Sequence, residues 1–338
     1  MRRTPLTRAN QPRPSRQELR DQARRRVVRE RRIAAGTLAV VLIAGATLLL
    51  VNRNSSPSSV DPDPAAESGT NAAAPKPPEL PRGGRVLLPN YRVVAYYGAP
   101  QDPQLGELGI GSPRQAAAKL LDQAAYYQRG DRPVMPAMEL IATLVTAAPG
   151  DDGKYRMRQT SETIDRYLAA ARKAKALLIL DIQPGRASFM SEVKAYRHWL
   201  EQPDVGLAID PEWSMGPGEV PGQVIGHTTS TIVNQVTSYI SKIVEDDNLP
   251  QKVLIVHQFT PGMIEHKKWL KRPPGVALTV NVDGFGTRDN KVSKYDLFAT
   301  NGSHWFNGFK LFYHEDVGLM RPKSVLNLLP PPDVVVYE

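Results

Sequence analysis

Strand-like and helix-like stretches alternate from about residue 92 to residue 337, and this alternation limits the possible folds more than any other feature. The predicted strands cover residues 92–97, 134–139, 176–183, 205–213, 252–258, 276–283, 309–313 and 334–337. The predicted helices cover residues 112–128, 161–175, 189–200, 223–245, 265–270, 291–300 and 322–328. Eight strands that alternate with helices over about 250 residues are typical of a (β/α)8 barrel, the TIM-barrel form of the α/β class.

Several of these strands are almost continuously apolar, as in the runs Leu177-Leu178-Ile179-Leu180 and Val253-Leu254-Ile255-Val256. Parallel strands that are covered on both faces have this composition. A doubly wound open sheet is the alternative fold, but no glycine-rich turn follows the first strand to support a nucleotide site. The pattern therefore favours a barrel over residues 85–338.

The 19 residues from Ile33 to Val51 contain no charged residue, Pro or Asn. A helix of this length spans a bilayer core of about 30 Å. Twelve Arg precede the span and only Arg53 follows it closely, which predicts a cytoplasmic N-terminus. We therefore expect a single-pass cell-membrane anchor, with a cleaved signal peptide as the alternative.

The regions on either side of this span lack the residues needed to form a core. Residues 1–32 predict a cytoplasmic Arg-rich tail, and residues 52–84 predict a disordered Pro/Ser/Ala-rich linker. Residues 85–338 then form the predicted extracytoplasmic barrel. The tail, with 12 Arg and three acidic residues, accounts for the whole net charge of +9, so the barrel is neutral and no nucleic-acid partner is expected. The chain has no Cys, which excludes disulfides, thiolate metal sites and a cysteine nucleophile.

Polar and aromatic residues follow the apolar part of nearly every predicted strand. Because barrel enzymes build their sites from the C-terminal ends of the strands, these residues are candidate site residues. They are Tyr97, Glu139, Asp181, Gln183, Asp210, Glu212, Trp213, His257, Gln258, Asn281, Asp283, Tyr313 and His314. Asp210 and Glu212 are two residues apart in the fourth strand, so we expect both carboxylates on one face, roughly 7 Å apart.

Carboxylates, amides and aromatic rings without an obligatory metal motif are typical of carbohydrate chemistry. One acid with a raised pKa protonates the leaving oxygen, and a second carboxylate stabilises the oxocarbenium-like transition state. Glu212 and Asp210 are the predicted catalytic pair, and the other residues are predicted to bind the sugar. No metal or other cofactor is expected.

The Asp210-Pro211-Glu212 sequence resembles the Asp-x-Glu that ends the fourth strand in chitinase-like (family 18) and lysozyme-like (family 25) glycoside hydrolases. The resemblance implies a barrel glycosidase in which Glu212 is the proton donor and Asp210 assists it. It also implies a glycan or cell-wall polymer as the partner. Val205 and Ala208 stand where the chitinase pattern has further acids, and the first strand ends in Tyr96-Tyr97-Gly98 rather than an Asp.

Two other functions remain open from the sequence. One is a non-catalytic barrel that binds an envelope glycan or envelope protein. The other is a metal-dependent hydrolase in which His257, His304 and His314 converge with Asp181 or Asp283. The sequence does not predict the oligomeric state.

Overall fold

The computed structural model describes residues 76–128, 132–302 and 304–338. The predicted tail, membrane span and most of the predicted linker lie outside these residues. Within them, eight parallel strands form a closed barrel, because the first strand pairs with both the second and the last. The strands are β1 Arg92–Gly98, β2 Val134–Val145, β3 Leu177–Ile182, β4 Val205–Ile209, β5 Lys252–Gln258, β6 Val276–Val282, β7 Phe306–Leu311 and β8 Val334–Tyr337. The predicted α/β barrel is confirmed.

Helices connect most of the successive strands. They are α1 Pro113–Ala125, α2 Ser161–Lys173, α3 Phe189–Ala195, α4 Arg197–Leu200, α5 Ser230–Asp246, α6 Arg288–Phe298 and α7 Pro322–Leu326. Side-chain caps mark the starts of several, including Ser112 before α1, Thr160 before α2 and Thr229 before α5. The connection from β5 to β6 has only the 3-10 turn Lys267–Trp269, so the helix expected over 265–270 is reduced to one turn.

Two separate apolar clusters show how the barrel is packed. The outer cluster joins one face of the strands to the helices, for example Leu178 and Leu254 with Val233 and Ile240. The inner cluster contains alternate strand residues and no helix residues, so it fills the barrel itself. Leu87 and Leu88, which precede β1, belong to this inner cluster. Their backbone N–H groups donate to the Gln251 side chain, just before β5, so this segment packs at the N-terminal end of the strands.

Three strands differ from the sequence prediction by more than one residue. β7 covers Phe306–Leu311 instead of residues 309–313, since residues 306–309 already pair with β6. β2 continues to Val145, six residues past Glu139, since the segment after Glu139 is also apolar and buried. β4 stops at Ile209, and residues Pro211–Trp213 form a 3-10 turn. Asp210 caps this turn by accepting a hydrogen bond from the Glu212 backbone N–H at 3.2 Å. The expectation that Asp210 and Glu212 share one strand face is therefore wrong, because Pro211 and the Asp210 cap end the strand between them.

Within the described part of the chain, no helix combines the length and apolar composition needed to cross a membrane.

Candidate functional site

The C-terminal end of the barrel is lined by polar side chains, although the layer beneath it is apolar. Residues two apart in a strand point the same way, so inward residues such as Ala95, Ala208 and Val336 are followed by inward polar ones. The backbone pairing continues just past the strands and keeps this orientation, since Asp210 N–H donates to Ile182 O at 3.0 Å and Glu338 N–H donates to Leu311 O at 2.9 Å. We call the resulting set the mouth ring: Tyr97, Glu139, Asp181, Asp210, His257, Asn281, Asp283, Lys310 and Glu338.

His257 is the centre of the mouth ring. Its Nδ1 lies 3.0 Å from Asp283 Oδ2, and its Nε2 lies 3.0 Å from Glu139 Oε1. Asp181 Oδ1 is 3.9 Å from the same Nε2. These contacts join residues up to 118 positions apart in sequence, which only closure of the barrel brings together. The strands therefore place an imidazole among three carboxylates with no water-exposed face.

Hydrogen bonds fix the neighbouring side chains. Tyr97 OH donates to Asp181 Oδ2 at 3.0 Å and accepts from Gln183 Nε2 at 3.1 Å. Gln183 Oε1 in turn accepts from the Val145 N–H at 3.1 Å. Asn281 Nδ2 lies 3.4 Å from His257 Nδ1. The Asn281 side chain lies so close to β7 that only glycine fits at position 308, where a Cβ would come 2.5 Å from Asn281 Oδ1.

The sequence analysis missed two charged members of the ring, Lys310 and Glu338. Lys310 Nζ lies 2.6 Å from Glu338 Oε2, 3.4 Å from Asp283 Oδ2, and 3.7 Å from the centre of the Tyr97 ring. The alternation of inward and outward residues in the sequence could have identified both side chains. Lys310 alternates with the outward Phe309 and Leu311, and Glu338 continues the inward series of Val334 and Val336.

The cations and Asp283 hold their charges despite burial. Burial alone would lower the pKa of His257, but its hydrogen bonds to Asp283 and Glu139 raise this pKa well above the usual value. Burial likewise opposes the charge on Lys310, yet Asp283, Glu338 and Asp210 raise its pKa. Asp283 would be neutralised by burial, but Lys310 and His257 lower its pKa well below the usual range. Asp283 is therefore the ionised carboxylate between two cations.

Other carboxyl groups in this region have raised pKa values, in contrast to Asp283. Burial raises the pKa of Asp181 to about 8, with His257 opposing the shift. Burial also raises the pKa of Asp210, helped by the charge of Asp283. The pKa of Glu212 is raised well above its usual value by burial and by the carboxylates of Asp210 and Asp283. Glu212 keeps part of its surface in solvent, whereas Asp181 and Asp210 are buried.

The predicted site residues divide into three groups. Tyr97, Glu139, Asp181, Gln183, Asp210, His257, Asn281 and Asp283 lie in the mouth ring or bond to it directly. Glu212 and Trp213 lie half-buried on the turn above β4. The third group lies outside both the mouth ring and this turn, and it contains Gln258, Tyr313 and His314.

Gln258 and Tyr313 face away from the barrel interior. The Gln258 side chain accepts from Lys267 Nζ at 2.7 Å. Tyr313 stacks on Tyr337 with ring centres 5.2 Å apart and donates to Gln123 Oε1 at 3.0 Å, so it packs outside the barrel against α1. Gln258 is one residue after His257, and Tyr313 is three residues after Lys310. Residues an odd number of positions apart in extended chain face opposite sides, so both side chains point outward.

The histidines do not converge as the metal-hydrolase alternative required. His304 and His314 are exposed on the loops before and after β7, whereas His257 is fully buried. Among the residues that the structure describes, the one group of histidine and carboxylate side chains arranged to hold a metal ion is Glu139, Asp181 and His257.

A cavity of about 390 Å³ lies beside the Glu212 turn. Its walls include Gly226, His227, Thr260 and Met263, from the loops that follow β4 and β5. Gly226 N–H donates to the Glu212 carbonyl at 2.7 Å, which joins one wall of the cavity to the turn. A bulkier residue cannot replace Gly226, since a Cβ there would come 2.5 Å from the Pro211 carbonyl. The loop is thus packed directly against the segment that holds Glu212 and Trp213.

Comparison of the chain with protein-family models gave no match, and comparison with curated proteins gave none either. The function must therefore be argued from the site.

Proposed function

We propose that the barrel hydrolyses glycosidic bonds, with Glu212 as the proton donor and Asp210 as the assisting carboxylate. The main support is the position of Glu212. It is a part-buried residue at the rim of the barrel, and burial together with the charges of Asp210 and Asp283 raises the pKa of its carboxyl group well above the usual value. A protonated carboxyl group beside anionic neighbours is what glycoside cleavage needs to protonate the leaving oxygen.

The surroundings of Glu212 supply further support. Asp210 lies beneath the same turn, where its negative charge would stabilise positive charge that develops on the sugar. Trp213 on the turn is half-buried and offers an aromatic face for a sugar ring. The cavity beside the turn has His227 and Thr260 as polar groups on its wall, which could bind hydroxyl groups of a glycan. A glycan would therefore reach Glu212 from the rim.

The proposed substrate is a cell-envelope or extracellular glycan. This part of the proposal depends on the apolar segment from Ile33 to Val51, which would anchor the barrel outside the membrane, and on the resemblance around Asp210 and Glu212. A non-catalytic barrel that binds the same glycans is the alternative.

The experiment compares Glu212→Gln with the control Glu201→Gln in the full chain. Glu201 pairs with Arg197 at the end of α4, so it is a glutamate remote from the mouth. Release of reducing sugar from a panel of polysaccharides and cell-wall fragments is the measurement. Loss of the general acid should lower turnover by about 100-fold or more. Glu201→Gln should match the wild type, and both variants should retain the wild-type circular dichroism.

Two results would decide against the proposal. If Glu212→Gln turns over substrate at the wild-type rate, Glu212 is not the acid. If the wild type binds a glycan but releases no product, and Glu212→Gln binds it equally well, the barrel is a binding protein.

A further inference from the structure

A second site lies deeper in the barrel than Glu212. Glu139, Asp181 and His257 each offer one donor atom, and the three atoms lie within 4.8 Å of one another. All three side chains are 0% exposed. A glycan cannot reach atoms that are buried to this degree, so a ligand for this cluster has to be small.

Unpaired oxygens in the cluster indicate that it has capacity for a ligand. Asp181 Oδ1 and Glu139 Oε2 are both buried, and neither finds a hydrogen-bond partner among the residues that the structure describes. Asp181 Oδ1 faces His257 Nε2 at 3.9 Å. A buried carboxylate oxygen without a partner costs free energy, which a cation bound at that oxygen would recover.

The arrangement of His257 adds a further argument. Asp283 Oδ2 accepts a hydrogen bond from His257 Nδ1–H at 3.0 Å, so Nε2 is the nitrogen that faces Glu139 Oε1 and Asp181 Oδ1. A metal ion bound at Nε2 would replace the proton that this nitrogen carries when the imidazole is charged. A carboxylate that holds the far nitrogen of a histidine is also the usual way in which a metal-binding imidazole is oriented.

Acidic side chains outnumber basic ones in the mouth ring. The five acidic side chains are Glu139, Asp181, Asp210, Asp283 and Glu338, and the two basic ones are His257 and Lys310. This surplus of carboxyl groups would attract a divalent cation to the mouth.

The distances fit a small ion. Two ligands at about 2.1 Å from an ion are about 3.0 Å apart at a right angle and about 3.4 Å apart at a tetrahedral angle. The observed separations of His257 Nε2 from Glu139 Oε1 and Asp181 Oδ1 are 3.0 and 3.9 Å, and all three donor atoms lie within 4.8 Å of one another, so the carboxylates would draw together around one ion.

We propose that Glu139, Asp181 and His257 bind one divalent transition-metal ion, Mn²⁺ or Zn²⁺, with Asp283 orienting the imidazole. Two carboxylates and one imidazole form a mixed oxygen and nitrogen set that suits these ions better than Ca²⁺ or Mg²⁺. The proposal goes beyond glycan hydrolysis and does not depend on it, because its ligands are different residues from Glu212 and Asp210.

The test measures metal binding by the full chain after chelator treatment and dialysis. Mn²⁺ and Zn²⁺ are added separately, and bound metal is measured by mass spectrometry and, for Mn²⁺, by loss of the free-ion electron paramagnetic resonance signal. The variants are Asp181→Asn and Glu139→Gln. The control is Asp204→Asn, since Asp204 is a buried carboxylate paired with Arg172 before β4, outside the cluster. Polysaccharide turnover is not a readout, so failure of the proposed glycosidase leaves this test intact.

Wild type and Asp204→Asn should bind one equivalent, and the two cluster variants should bind it at least about 100-fold more weakly. Absence of binding by the wild type, or equal binding by all four proteins, would overturn the proposal. Two measurements on the wild type alone cover the case in which a variant does not fold. Saturating Mn²⁺ should raise Tm by about 5 °C and should broaden the ring resonances of His257. An unchanged Tm with sharp His257 resonances overturns the proposal.

Discussion

Two buried lysines at opposite ends of the barrel have opposite electrostatic surroundings. Lys310, at the C-terminal mouth, contacts the carboxylates of Asp283 and Glu338, and its pKa is raised. Lys252, at the start of β5, donates only to the backbone carbonyls of Gln202 and Val205, at 2.6 and 2.8 Å. Burial lowers its pKa to about 7, with Asp204 and Asp247 opposing the shift.

The two ends of the barrel therefore differ in the groups that surround a buried lysine. The N-terminal end satisfies a buried lysine with backbone carbonyl groups, as a purely structural end can. The mouth instead concentrates charges that each depend on the others. Such a cluster is costly for stability, because each of its ions has lost its water. Its presence at the end where barrel enzymes carry their sites supports a functional role.

Substitution of Lys310 by Met should have the largest effect on stability. The change removes the cation shared by Asp283 and Glu338 and leaves the buried Asp283 with His257 alone, which should lower the free energy of unfolding by about 3–5 kcal/mol. Lys252→Met is the matched control and should cost less than about 2 kcal/mol, because it removes only hydrogen bonds to carbonyl groups. Denaturant unfolding at pH 7 measures both, and equal costs would show that the mouth charges are not interdependent.

The second prediction concerns pH and the N-terminal lysine. The pKa of Lys252 is about 7 in the folded protein and near 10.5 when unfolded, so between these values the unfolded chain binds more protons. Stability should therefore rise with pH across this window, and the full penalty of burying the charged lysine applies below pH 7. The contribution of Lys252 should amount to about 2–4 kcal/mol between pH 6.5 and 10.

The measurement is the difference between wild type and Lys252→Met in unfolding free energy at several pH values, since other groups that titrate are common to both proteins. The unfolding free energy of the wild type should rise relative to that of Lys252→Met as pH increases from 6.5 to 10. A difference that stays constant would mean that the two carbonyl bonds keep Lys252 charged throughout.

The strands were predictable where buried apolar runs are long enough to exclude other structures. Residues 252–258 and 334–337 were predicted as strands and are β5 and β8 with those bounds. The turn after β4 was not predicted, because the Asp210 side chain competes with the strand by bonding the backbone of Glu212. Whether a strand continues or turns at such a point depends on which of two hydrogen bonds is more stable. The pattern of apolar residues carries no information about that.

The location of the candidate site could be predicted from the sequence, but the contacts among its residues could not. Most of the polar residues at the strand ends do meet in the mouth ring. Gln258 and Tyr313 do not, because neighbouring strand residues face opposite sides and the prediction did not apply that period to them. The partners of His257 come from β2 and from the end of β6, so their contacts depend on how the barrel closes. No local pattern contains that information.

The last and smallest prediction compares two adjacent tyrosines in β1, one facing each side of the barrel wall. Tyr97→Phe removes the phenol that bonds Asp181 and Gln183 inside the mouth, leaving two buried groups unpaired, so it should cost about 1–3 kcal/mol. Tyr96→Phe removes longer contacts, at 3.3 and 3.4 Å, in a part-buried position, so it should cost less than about 1 kcal/mol. Denaturant unfolding with equal m-values gives the comparison. If the two variants cost the same, water must replace the Tyr97 hydroxyl, and the mouth ring would then be hydrated rather than sealed.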